Sequence, residues 1–124
     1  MCAPDSLHFP ADVVRALDRI TRNARVRNGF FMHRRANRRG RRDLGLRDAD
    51  AWDLLASLAV ADFHAGPQVD RHAPDRELWI FAPLVGERRA YLKVAFCPDD
   101  PLDETTLVIW SIHPARFTMH RPFA

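Results

Sequence analysis

The run RRAYLKVAF, residues 88–96, constrains the fold more than any other stretch, because Ala90, Leu92, Val94 and Phe96 alternate with Tyr91, Lys93 and Ala95. A period of two marks a strand with one buried face, and it puts Tyr91 and Lys93 together on the other face, ~7 Å apart along the backbone. Two similar runs flank it, ELWIFA (77–82) and TTLVIWSI (105–112), joined to it by the turn PLVGE and the Pro/Asp-rich loop CPDDPLDE. Links this short predict an antiparallel meander.

Helical patterns precede the strands. Pro10 suits the first turn of a helix, where its missing N–H would be unpaired anyway, and Val13, Leu17, Ile20 and Ala24 then fall on one stripe with Arg15, Arg19 and Arg22 away from it. Asn28-Gly29 marks a turn, and FFMH a short extended piece. A second helix is predicted with Asp48 as N-cap and Ala51, Leu54, Leu55 and Leu58 on its apolar face, widened by Trp52 and Ala59. The text AGPQVDRHAPD, residues 65–75, reads as a loop. Helices followed by consecutive strands predict an α+β chain: two N-terminal helices packed on one face of a small antiparallel sheet whose other face is free. A length of 124 residues fits a single domain, 1–124, with no order predicted for the tail 116–124.

Charge is distributed unevenly. Eighteen arginines and one lysine, Lys93, stand against sixteen acids, yet residues 15–42 alone hold eleven arginines and one acid, Asp18. The densest part, RRANRRGRR at 34–42, reads as an arginine-rich loop or ragged helix, and its asymmetry points to a polyanionic partner, nucleic acid first. A merely solvated run is the competing reading. Cys2 and Cys97 lack the spacing of a disulfide framework or zinc site and read as reduced. MCAPDSLHFP is broken by prolines and charge where a signal peptide would be apolar, and no run is long enough to span a membrane, so a cytoplasmic location with no membrane partner is expected.

Five short matches in order, DLGL (43–46), DFHAGPQVD (62–70), LWIF (78–81), AYLK (90–93) and WSIHPA (110–115), resemble the MqsR family of bacterial type II toxins. These are messenger-RNA interferases of the broader RelE-like fold class. Ala65 stands where some members carry lysine, and Ile80 where some carry glutamine. The first forty residues and the tail RFTMHRPFA match nothing in the family pattern. The resemblance implies an endoribonuclease held in check by a cognate antitoxin protein, acting on messenger RNA either free or on the ribosome.

Cleavage of RNA by its own 2′-hydroxyl needs a base, an acid and cations at the phosphorane, and DNA would be inert. Histidine suits both proton transfers, its ordinary pKa of about 6.5 lying near working pH. Of the six histidines, His64 and His113 sit on the matched motifs and are the expected proton-transfer pair, with His113 at or just past the end of the last strand. Strict alternation groups it with Leu107, Ile109 and Ser111, opposite in facing to Val108, Trp110 and Ile112. Lys93 would place a point charge on the phosphorane, and Tyr91 a hydrogen-bond donor. Arg71, Arg76, Arg88 and Arg89, with Arg34, Arg35, Arg38, Arg39, Arg41 and Arg42 of the basic run, are candidate phosphate contacts. Trp79, on the same side of its strand as Phe81, and Trp110 read as core rather than base-stacking platforms. No HExxH, paired Cys-x-x-Cys or carboxylate cluster is present, so neither metal nor cofactor is expected. The alternatives are a non-catalytic RNA- or ribosome-binding module of the same fold, and an interaction domain whose open sheet docks a partner strand.

Overall fold

The computed structural model describes residues 10–71, 73–97 and 106–124. Cys2, the first nine residues and the CPDDPLDE loop from residue 98 onward lie outside them. Among the described residues the architecture is α+β, with three α-helices and a mixed six-stranded sheet.

α1 (Pro10–Arg25) opens at the predicted proline and buries Val13, Leu17, Ile20 and Ala24, together with Ala16 and Asn23. Arg27, in the left-handed region at φ 53°, ends it, and β1 (Gly29–Phe31) follows. α3 (Asp48–Ala56) buries Ala51, Trp52 and Leu55. Asp48 is its first helical residue rather than its N-cap; that place is Arg47, whose N–H donates to Asp50 Oδ2 at 3.0 Å. Both helices pack on one face of the sheet through a core that includes Phe63, Trp79, Phe81, Leu92, Val94, Leu107 and Ile109. Each fully buried side chain of this size contributes about 1.5–3 kcal/mol of transfer free energy.

The strands β2 (Phe63–Asp70), β3 (Ala73–Phe81), β5 (Arg88–Phe96) and β6 (Leu107–Pro114) form the meander. The short β4 (Leu84–Val85) turns back onto β5 through Gly86, whose φ of 62° suits the turn. β1 adds to the far side of β6 in parallel, so the sheet is mixed and not wholly antiparallel. This contact joins residues 29–31 to 107–109, a pairing between distant segments that local patterning does not encode.

Residues 65–75 are expected to be a loop, yet 65–70 belong to β2 and 73–75 to β3, which pair as a hairpin. Pro67 is tolerated there because β2 is the edge strand, where a missing N–H breaks no ladder bond on its open side, and three register shifts along the β2–β3 pair accommodate the irregular text.

The arginine run is a helix and not a loop: α2 (Arg35–Asp43) docks on the edge of β6. It has no apolar stripe because two unusual groups hold it. The buried Asn37 carboxamide donates to Met32 O (3.0 Å) and Trp110 O (3.1 Å) and accepts from Ile112 N (3.3 Å), continuing the edge where β1 stops. Gly40, one turn later, lies so close to β6 that a Cβ there would meet Ile112 O at 2.0 Å. The other arginines of α2 are left to the outer side, while Arg41 packs on the Phe31 ring.

The sheet's second face is not free. The tail covers part of it, burying Met119 against Ile80 and Ala82 beside Tyr91 and Ala115, and its Phe123 stacks on Phe63 of the helix-side core at 5.5 Å.

Candidate active site

On that second face, His113 lies directly opposite Tyr91 in the β5–β6 ladder, and the rings stack with centroids 4.9 Å apart and planes 5° from parallel. The next pair along is Lys93 with Ser111. Strict alternation would have turned His113 to the core side with Leu107 and Ile109. A bulge corrects this: Lys93 pairs with Ser111 but Val94 with Ile109, so Trp110 is an extra residue and the alternation resets. Ile112 then fills the core, while Ser111 and His113 join Val108 and Trp110 on the outer side. His113 lies within β6 and not beyond it.

Backbone carbonyls define the proton positions on both histidines. His113 Nδ1 is 2.7 Å from Pro114 O, and His64 Nδ1 is 2.6 Å from His120 O. A carbonyl oxygen only accepts, so each Nδ1 carries hydrogen and each Nε2 is the atom that takes up or releases the mobile proton. Burial pushes the Tyr91 phenol above its ordinary value of 10, which leaves it a neutral hydrogen-bond donor throughout the neutral range.

Tyr91 is the only tyrosine in the chain, so the ultraviolet absorbance of tyrosinate reads this group alone. Its titration midpoint is expected above 10. With the folded value raised, its contribution to stability is fully present below the unfolded value, near 10, and is lost as pH rises through the folded one. Tyr91→Phe keeps the ring and should remove that alkaline loss; an unshifted midpoint in the parent would contradict the buried setting.

His64 is placed differently. It lies on β2, and the strand order β6-β5-β3-β2 sets three gaps between it and His113, ~14 Å at the backbone. Phe117 of the tail stands between, its ring 6.0 Å from that of His64 and 6.2 Å from that of Tyr91. Tyr91, Lys93 and His113 therefore form one group, and His64 belongs to another under the tail.

The candidate arginines also divide. Arg71 and Arg76 lie at the hairpin end, beyond the Glu77–Phe96 pair and ~17 Å along β5 from Tyr91, where Arg76 faces Asp70 at 3.8 Å. Arg89 donates to Ala82 O and Arg88 to Asp43 O. Arg41 covers the Phe31 ring and pairs with Asp48. Arg35, Arg38, Arg39 and Arg42 are exposed on α2. Arg34 lies over the Trp110 ring at 4.9 Å, so Trp110 is a half-buried group of the outer face rather than core; Trp79 is core, 4 % exposed. Trp110 keeps the side that alternation gives it, with Val108 and opposite Leu107 and Ile109; that the core takes the Leu107 and Ile109 side is decided by the helices packed there.

A larger groove, about 820 Å³, lies between α1 and the sheet and holds none of the candidate catalytic residues. Its charges are partly paired already, Arg15 with Asp12 and Arg22 with Asp18. Among the described residues, no group of three or more His, Cys, Asp or Glu is placed to hold a metal ion, and no helix is long and apolar enough to cross a membrane. No protein-family model, curated protein or solved structure matches the chain.

Proposed function

We propose that the chain is a metal-independent endoribonuclease that cleaves messenger RNA through attack of the 2′-hydroxyl on the adjacent phosphate. The observation that carries this reading is the stacked Tyr91–His113 pair with Lys93 one pair further on the same face. His113 Nε2 takes the proton of the 2′-hydroxyl. As the new P–O2′ bond forms and the P–O5′ bond breaks, Lys93 balances charge on the phosphoryl oxygens and the Tyr91 hydroxyl gives its proton to the leaving O5′; the proton held by His113 then restores the phenol. The products are a 2′,3′-cyclic phosphate and a 5′-hydroxyl. The MqsR-type sequence resemblance supports a toxin silenced by an antitoxin in the cytoplasm.

The test is incubation of a defined RNA with the protein in EDTA, scored for cyclic-phosphate ends, with the 2′-deoxy strand as control. No cleavage by folded protein would sink the catalytic reading. Lys93→Ala should slow cleavage at least tenfold and up to about 10³-fold, as for loss of a preorganised donor. Its melting temperature should barely move, since such a truncation changes stability by no more than about 0.5 kcal/mol. Arginine should restore part of the rate, its planar fork spreading the charge that an ammonium concentrates.

A second reading, an RNA-binding module without catalysis, is favoured by one observation: the tail seats Phe117 between His64 and Tyr91 and covers part of the face. Binding of RNA that is never cleaved would select it.

A further inference from the structure

Where α2 meets the end of β6, the surface opens into a cleft of about 280 Å³. Arg39 and Gly40 line it from α2, Asp43 from the helix end, Arg88 from the start of β5, and His113 and Arg116 from β6 and the tail beyond. Three arginines thus share its wall with one acid, Asp43. The volume is at the lower edge of the range for small-ligand clefts, about 300–1,000 Å³, which suits a phosphate with part of its sugar. Guanidinium forks match phosphate oxygens two bonds at a time.

The cleft is built and not incidental. Gly40 lets α2 approach β6 closely enough to bring Arg39 beside His113, since any Cβ would strike the strand. Arg88 Nη1 donates to Asp43 O at 2.6 Å and ties the end of α2 to the sheet, with other N–H groups of its guanidinium still available to a ligand. His113 forms one wall of the cleft and also stacks on Tyr91.

We propose that this cleft is a subsite for a second phosphate of a single RNA strand, next along from the phosphate held at Tyr91 and Lys93. The inference rests on the reading that the chain acts on RNA. Lys93 lies one residue pair from His113 in one direction and the arginine cleft lies against His113 in the other, so two consecutive phosphates bracket the histidine. Arg39 and Arg116 grip the second phosphate and fix the strand so that the scissile one meets Nε2. Arg116 belongs to no motif and gains its role only by position.

The experiment measures binding of a short single-stranded oligodeoxynucleotide, which lacks the 2′-hydroxyl and survives, across about 50 to 200 mM salt. Arg39→Gln with Arg116→Gln should raise Kd about tenfold and flatten the log–log salt slope by ~0.7, the value for one phosphate on a single strand. A control pair of equal charge, Arg25→Gln with Arg27→Gln, exposed at the end of α1, should change neither much. Inorganic phosphate should shift the ring resonances of His113 in the parent and not in the Arg39/Arg116 variant. Equal loss in both variants, an unchanged Arg39/Arg116 variant, or a parent that does not bind the strand would overturn the subsite. RNA cleavage is scored separately. Selective loss of binding without any cleavage overturns the nuclease reading and leaves the subsite standing, whereas cleavage with an unchanged KM in the variant does the reverse.

Discussion

Replacing His113 with alanine is expected to slow RNA cleavage by about 10²- to 10⁴-fold, while His64→Ala leaves the rate within about threefold of the parent. The asymmetry follows from the sheet order. A proton-transfer group must reach its proton within about 3 Å, or through one water. His113 stands beside Tyr91 and one pair from Lys93, whereas His64 is three strands away with Phe117 between. The stack on Tyr91 and the bond from Nδ1 to Pro114 O hold the His113 ring, so its loss removes a positioned base and not a mobile one. His64→Ala should act on stability instead, by detaching the tail carbonyl of His120. Single-turnover rates of the two variants decide the matter: equal losses would restore the histidine pair as joint acid and base and contradict the grouping described above.

Gly40→Ala is expected to destabilise the fold by about 3 kcal/mol and lower Tm by roughly 10 °C. On an exposed helix the same change would stabilise by about 1 kcal/mol, because alanine is the better helix former. Here the new methyl carbon would lie 2.0 Å from Ile112 O and 2.7 Å from His113 Cβ, so α2 must lift away from β6. Lifting breaks the Asn37 bonds to Trp110 O and Ile112 N and leaves strand-edge groups unpaired, each at about 1–3 kcal/mol. The change should also weaken RNA binding, since Arg39 moves with the helix. A raised Tm would show that the contact between α2 and β6 is not the one described.

Period and chemistry in the chain itself determined a good deal. RRAYLKVAF is the strand β5 from end to end, and the side it presents, with Tyr91 and Lys93, is the side its alternation assigns. α1 starts at Pro10 and buries the predicted stripe, because a helix on a sheet has one repeating way to hide its apolar residues. These are local properties, legible wherever burial alternates regularly. What tertiary structure alone decided lies where that regularity stops. One extra residue at Trp110 turns His113 from the core to the face of Tyr91, and no residue type announces a bulge. The arginine run becomes a helix through a carboxamide and a missing side chain, contacts that leave no hydrophobic period to read. β1 pairs in parallel with a strand some eighty positions away, 29 with 107, and the tail covers part of a face expected to be open. In each case the deciding energy comes from groups distant in sequence that meet only once the sheet exists, so the side chains proposed for chemistry were identifiable one by one while their grouping around His113 was not.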